Sequence, residues 1–289
     1  MKKKKLIILL ILLACIGYLV WDNTTFMVSE FTVKSDKIPK AFDGYKIVQI
    51  SDLHNAEFGN DNEKLFEAIK KEKPDMIAIT GDVIDGSNPN VKNAEKLVKK
   101  AVEIAPCCYV SGNHESFLDY AVYSEFAENI KKMGVVVLEN DLTTIEKDGE
   151  KVQIIGIEDQ GFWGKDEGRT GAFTADEMMD ADYSSVESKG KIDSNLYTIV
   201  LEHRPTFLDY FAKKKLDLVL TGHAHGGQFR IPFVGGVFAP DQGYFPKYDA
   251  GKYTKDDTVM IVSRGLGNSI IPVRVNNRAE LVSIELHSK

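Results

Sequence analysis

Five times along this chain a short apolar run stops at a cluster of carboxylate, amide or imidazole side chains, and that recurrence restricts the fold more than any other feature. Ser51-Asp52-Leu53-His54 closes the run that begins at Tyr45, and Gly81-Asp82 follows Met76 to Thr80. Gly112-Asn113-His114-Glu115 follows Cys107 to Val110, Glu202-His203 follows Leu196 to Leu201, and Gly222-His223-Ala224-His225 follows Leu216 to Leu220. Short apolar runs bounded by Gly and Asp read as buried strands. Amphipathic stretches lie between them, at Asn62 to Lys73 and Val91 to Ile104, and a third from Phe117 to Met133 leads to Val135 to Leu138. Strand alternating with helix implies a sheet covered by helices, and such sheets gather ligands at the carboxyl ends of their strands. The five clusters are therefore expected to converge on one sheet edge.

The second half is richer in strands. Leu142 to Glu146 and Val152 to Gly156 form a hairpin across Asp148-Gly149, a pair that favours a tight turn. Gln228 to Ile231, Thr258 to Ser263 and Ala279 to Leu286 read as further strands, while residues 158 to 190 carry the least pattern. There is no internal repeat. One catalytic domain over 45–289 is expected, with two stacked sheets and outer helices, after a segment 1–21 and a linker and lead-in at 22–44.

The residue types at the strand ends select a chemistry. Carboxylates, an amide oxygen and imidazoles without thiolate suit Mn, Fe or Zn, and calcium would not call for four histidines. In extended backbone, residues i and i+2 point to one side, so Asp52 with His54, and His223 with His225, can each grip from one direction. A carboxylate at Asp82 can bridge two ions about 3.5–4 Å apart, the spacing at which a metal pair activates water and steadies a phosphoryl oxygen. Each piece alone has an ordinary reading: Asp-x-His arises by chance, Gly-Asp after a strand is commonly a turn, and a lone His203 is commonly structural. Their joint order at successive strand ends is what favours metal.

In that order, Asp-x-His, Gly-Asp, Gly-Asn-His, a lone His and Gly-His-x-His, the chain resembles the calcineurin-like metallophosphoesterases over about residues 45 to 286. The resemblance implies an α/β fold, a four-layer αββα sandwich, and a cofactor of two divalent transition-metal ions (Mn, Fe or Zn). It implies Asp52, His54, Asp82 and His225 around the first ion, and Asp82, Asn113, His203 and His223 around the second. His114 would stand near the leaving group as the catalytic residue. The segments His223 to Pro232 and Ser263 to Pro272 look like the membrane-associated bacterial branch that includes UDP-2,3-diacylglucosamine pyrophosphatase-like enzymes. The chain departs from the family in one place: Glu115 stands where Asp is common, so the orienting of His114 passes to a longer carboxylate or to another acid. Arg204 reads either as a phosphate contact or as a structural arginine.

The N-terminus adds a location. Lys2 to Lys5 precede an uncharged run from Leu6 to Trp21, sixteen residues that reach about 24 Å against a hydrocarbon core of about 30 Å. An uncleaved anchor, a cleaved signal peptide and a lipidated Cys15 are the three readings. No small-x-small site follows the run, the six residues after Cys15 stay hydrophobic, and Tyr18 and Trp21 suit an interfacial belt, which favours the anchor. The lysines place the N-terminus in the cytoplasm and the domain outside the cell membrane, in a single pass; cleavage would make the protein secreted. Formal charge is −7, or −11 without the four lysines, so no nucleic-acid groove is expected.

The activity these features point to is metal-dependent hydrolysis of a phosphodiester or pyrophosphate, in a lipid-linked or envelope substrate. The alternatives are a phosphomonoesterase of the same fold and a non-catalytic metal-binding scaffold. A scaffold would have lost a ligand, and none is missing. A metallo-β-lactamase-like hydrolase would show His-x-His-x-Asp-His early in the chain, whereas His223-Ala224-His225 comes late and lacks that continuation.

Overall fold

The computed structural model describes residues 2–165, 173–190, 192–268 and 271–289; Ser269, within the Ser263 to Pro272 stretch, lies outside them. Chain order runs α1 (Lys2–Thr24), β1 (Phe26–Ser35), β2 (Tyr45–Ile50), α2 (Glu63–Glu72), β3 (Met76–Thr80), α3 (Val91–Val102), β4 (Cys107–Val110), α4 (Asn113–Ser116), α5 (Tyr120–Lys132) and β5 (Val136–Val137). It continues through β6 (Asp141–Lys147), β7 (Glu150–Gly156), α6 (Ala175–Lys189), β8 (Tyr197–Leu201), α7 (Leu208–Lys213) and β9 (Leu218–Thr221). Two short ladders follow, β10 (Arg230–Ile231) with β11 (Gly235–Gly236) and β12 (Phe238–Ala239) with β13 (Gly243–Tyr244), then β14 (Gly251–Lys255), β15 (Thr258–Val262) and β16 (Ala279–Ser288).

Two six-stranded sheets result, ordered β1-β16-β2-β3-β4-β5 and β14-β15-β9-β8-β7-β6. Strands β2 to β5 are parallel, as are β7, β8, β9 and β15, so the metal-type clusters that follow β2, β3, β4, β8 and β9 all leave carboxyl ends. Three cores separate four layers. Ile77, Ile79 and Tyr109 meet Leu97, Val98, Phe126 and Ile130 of α3 and α5 on one outer face. Ile47, Ala78 and Val110 meet Ile154, Ile199 and Leu218 between the sheets. Val200, Val219 and Met260 meet Met179 of α6 and Phe211 of α7 on the other outer face. Strands apolar on both faces fit this double burial, and the sandwich is αββα.

The helices follow local rules. In α3 the buried stripe Ala94, Leu97, Val98 and Ala101 has the i, i+3, i+4, i+7 spacing, and the Asn90 side chain caps its start by accepting from the Asn93 amide. Asp119 caps α5 in the same way through Ala121.

Residues 22–44 depart from the expected linker: Phe26–Ser35 is a ten-residue strand, paired in parallel with β16 along its whole length. Its pattern is broken because the apolar side chains change faces halfway. Phe26 and Val28 pack toward the helical layer, whereas Phe31 and Val33 pack between the sheets. The unpatterned 158–190 stretch contains α6, a polar helix started by the reciprocal Thr174 and Glu177 capping bonds. The strand expected at Gln228 to Ile231 shrinks to Arg230–Ile231, since the chain turns through Gly226 and Gly227 at positive φ just before it.

A chain that starts at Phe26 should therefore unfold cooperatively, whereas one that starts at Tyr45 leaves an edge of β16 unpaired. We expect the shorter chain to melt about 10 °C lower or to aggregate, as followed by circular dichroism on heating. Equal melting temperatures would show that β1 adds nothing to the domain.

Candidate metal centre

The sandwich brings the five clusters to one cleft. Asp52, His54, Asp82 and His225 each present a ligand atom within 4.8 Å of the others, and Asp82, His203 and His223 do the same. Asp82 belongs to both groups. A third group, His54, Asp85 and His114, adjoins the first.

Ring nitrogens and carboxylate oxygens face one another across the cleft. His203 Nδ1 donates to the Thr80 carbonyl at 2.7 Å, which leaves Nε2 facing the Asp82 carboxylate at 3.1 Å. His54 Nε2 and His225 Nε2 stand 3.2 Å apart, with Asp82 Oδ2 3.5 Å from the former and Asp52 Oδ1 3.4 Å from the latter. Asn113 Oδ1 and His54 Nδ1 are buried without a hydrogen-bond partner. Lone pairs facing lone pairs in a dry cleft need a cation or a proton between them. A pair of divalent ions fits this donor set, and the surrounding bonds fix tautomers accordingly: His223 gives its Nε2 proton to Asp241 at 2.9 Å and keeps Nδ1 as a donor atom.

Charge follows the same geometry. Burial works to raise the Asp82 carboxyl, but the His203 and His54 imidazoles overcome it and hold the group well below the usual carboxylate range. His203 responds in reverse: burial works to lower it, and Asp82 carries it well above the ordinary imidazole value. His54 and His225 are depressed, chiefly by burial.

Backbone strain is concentrated here. Asp52, His54, Asp82, His223 and His225 all have φ between 46° and 66°, a region costly for residues other than glycine. The turns that allow it need glycine beside them. A Cβ on Gly222 would stand 2.0 Å from Ser51 Oγ and 2.2 Å from Asp52 Oδ2.

Glu115 does not orient His114. Its carboxylate is fully buried and accepts from the amides of Asp82 and Gly112, both at 2.8 Å, and of Ile84 at 3.0 Å. It fastens the Asp82 turn to the Gly112 turn. The acid beside His114 is Asp85, 3.5 Å from Nδ1, and the Gly86 amide donates to that nitrogen at 3.1 Å, so in the neutral ring the Nε2 edge carries the proton. Arg204 holds a supporting position: it grips Asp159 through two bonds of 2.7 and 2.8 Å and pairs with Asp241, the acceptor of His223. Burial works against its charge and Asp159 more than restores it.

Asp159, Asp241, Asp85 and Arg274 were not foreseen. Asp159 follows β7, whose end would have marked it; Asp241 sits in a loop with no such signal. Arg274 is fully buried, and its guanidinium donates to the carbonyls of Arg264 and Gly267 and stands 3.4 Å from His225 Nδ1.

An αββα sandwich whose strand ends share one carboxylate between two ligand groups has the architecture of a metal-dependent phosphoester hydrolase. The calcineurin-like phosphoesterase family model matches residues 45–227. The metallophosphoesterase YkuE of Bacillus subtilis (strain 168) is 30% identical over 269 residues, 90% of this chain and 85% of that protein. The phosphodiesterase YaeI of Escherichia coli (strain K12) is 28% identical, covering 84% of this chain and 82% of its own length. Among solved structures, the phosphopantetheinyl hydrolase PptH of Mycobacterium tuberculosis aligns with a TM-score of 0.49 at 15% identity, over 76% of this chain and 89% of that one. The chain belongs to the calcineurin-like metallophosphoesterases.

Glu115→Gln should weaken the fold, because an amide can accept on one side only and must turn its NH₂ toward a backbone N–H on the other. The cost is about 1–3 kcal/mol, lowering the melting temperature by several degrees. An unchanged melting curve would mean that the three amides find other acceptors.

Proposed function

We propose that the protein is a dinuclear metal-dependent phosphodiesterase or pyrophosphatase, anchored by α1 with its catalytic domain outside the cell membrane. The observation that carries the activity is Asp82, common to both ligand groups. Asp52, His54, Asp82 and His225 would hold one ion; Asp82, Asn113, His203 and His223 would hold the other. The chemistry supplied by divalent ions in such a pair of sites is Lewis-acid neutralisation of phosphoryl charge and acidification of an attacking water.

The remaining steps belong to the chain. Thr80 and Asp241 orient His203 and His223 through the ring nitrogens that face away from the cleft. Arg204 holds Asp241 in place for that purpose and brings positive charge to the rim. His114, whose Nδ1 accepts from the Gly86 amide, offers its Nε2 proton as a hydrogen bond to a phosphoryl or leaving-group oxygen as negative charge develops there. Preference for a diester draws on the likeness to YaeI. The anchor draws on α1, whose Lys3–Thr24 portion is long and apolar enough to cross a membrane.

The full-length protein in detergent should carry about two transition-metal ions per chain, lose activity to chelators and recover better with Mn than with Mg, because four imidazoles disfavour Mg. Activity should be larger on a phosphodiester than on the matching monoester. Active protein with less than about one ion per chain by elemental analysis would defeat the proposal.

Asp82→Asn should remove both bound metal and turnover, whereas His114→Ala should keep its metal and lose about 10²–10⁴ in kcat. Metal content and rate measured together decide this. Equal metal content and equal activity in the two variants would show that these roles are misassigned.

A further inference from the structure

The end of α1 is not a free tether. The Asn23 side chain and the Arg274 backbone exchange two hydrogen bonds, of 2.9 and 2.7 Å, and the Asn277 amide donates to Asp22 at 3.2 Å. Arg278 lies over the Trp21 ring at 4.2 Å, and the Tyr18 hydroxyl reaches Asn276 at 3.3 Å. Asn276 then donates to the Arg230 carbonyl at 3.2 Å, and the Arg230 amide to the Val275 carbonyl at 3.0 Å. The base of the β10–β11 hairpin is thereby held level with Tyr18, which precedes Thr24 by six residues, or about 9 Å along the helix axis. That is inside the apolar segment, which ends only at Trp21.

The tip of this hairpin is apolar and bare. Phe233 is as exposed as a side chain can be, at 109%, and sits at φ 66°, a costly setting for an aromatic residue. Ile231 and Val234 flank it in the open, and Tyr244 of the β12–β13 ladder, Phe245 just after it and Val273 are exposed as well. A shallow pocket of about 470 Å³ joins Phe233 and Val234 to Pro246, Lys247 and Asn276. Bare aromatic tips of this kind are unfavourable in water and suited to a membrane interface. The same hairpins reach the metal cleft, since Arg230 donates to the Gly226 carbonyl beside His225 and Asp241 lies between β12 and β13.

We propose that the β10–β11 and β12–β13 hairpins are a second membrane contact. Phe233 at the β10–β11 tip and Tyr244 and Phe245 at the end of β12–β13 away from Asp241 enter the interfacial layer of the bilayer that α1 crosses, and they hold the metal cleft against that surface, over an amphiphilic phosphoester presented by the lipid. The proposal rests on the reading of α1 as an uncleaved anchor. A bilayer is the occupant because the helix that enters it is bonded to the hairpin at the same depth. Lys247, exposed next to Phe245 and Pro246, is placed to meet lipid phosphate.

The test uses the full-length protein with Cys15→Ser, in vesicles of phosphatidylethanolamine and phosphatidylglycerol; Cys107 and Cys108 are buried. A nitroxide is attached in turn to Leu12→Cys, Val234→Cys and Asp148→Cys, the last in the exposed β6–β7 turn. Collisions with oxygen and with a water-soluble nickel chelate report depth. We expect Leu12 in hydrocarbon, Val234 at the interface with most of its chelate collisions lost, and Asp148 in water. Leu12 in hydrocarbon with Val234 as wet as Asp148 overturns the second contact and leaves the anchor standing. Leu12 in water overturns the anchor, and the contact falls with it. Protection of Val234 that rises with protein density and persists in detergent identifies a second copy of this chain as the occupant and also overturns the proposal. In a further arm, Phe233→Asp should cut hydrolysis of a vesicle-borne dialkyl phosphodiester about tenfold and leave that of soluble bis(4-nitrophenyl) phosphate unchanged. An equal effect on the two substrates would count against it.

Discussion

The Asp82 carboxylate, buried between imidazoles, is the constraint around which the rest of the structure is arranged. A charge in that position is costly unless partners are fixed nearby, and the fold supplies imidazoles from the ends of β2 and β8, not from Asp82's own strand β3. His54 and His203 approach from loops of different sheets. The two sheets must therefore keep their relative position to within a fraction of an ångström for the cleft to exist. The tightly packed core between them, from Ile47 and Ala78 to Ile199 and Leu218, meets that demand.

Strain at the ligands has the same origin. Single residues in the left-handed region persist when their surroundings leave no alternative, and here five site residues do so together. What holds them is a mesh of backbone bonds: Glu115 ties the Asp82 turn to the Gly112 turn, and Asp52 accepts from the His223 amide at 2.9 Å while its own amide donates to the Gly81 carbonyl at 3.0 Å. Each carboxylate of this mesh fixes a neighbouring turn, so the ligand geometry is set before any ion binds. Such preorganisation is the general route by which a site avoids reorganisation cost during reaction.

The sequence made the parallel strands and their terminal clusters legible because both signals are local. A buried strand needs a continuous apolar run, and a ligand cluster needs only its place at the end of that run. β1 was hidden because its apolar residues serve one core at Phe26 and Val28 and another at Phe31 and Val33. α6 was hidden because its exposed face is polar and its start depends on the Thr174 cap. Supporting residues were least visible. Nothing near Glu115 in the chain tells that its oxygens reach the amides of residues more than thirty positions earlier, and Asp85 took the place beside His114 through turn geometry alone. Arg274 reads as one more cation in the stretch that leads to β16, yet the fold buries it completely.

That arginine connects the end of α1 to the metal-type cleft. Burial lowers its basicity to about 10, a modest change that leaves it charged at neutral pH. Among the described residues no carboxylate pairs with it; backbone carbonyls of Arg264, Gly267 and Asn277 and the Asn268 side chain receive its protons instead. A buried cation satisfied by carbonyls is a rigid spacer, since each bond fixes a different loop. Its backbone is clamped by Asn23 at the end of α1 while its guanidinium stands against His225. One residue thus separates α1 from an imidazole of the candidate metal site, so a tilt of that helix relative to the domain must act on the cleft.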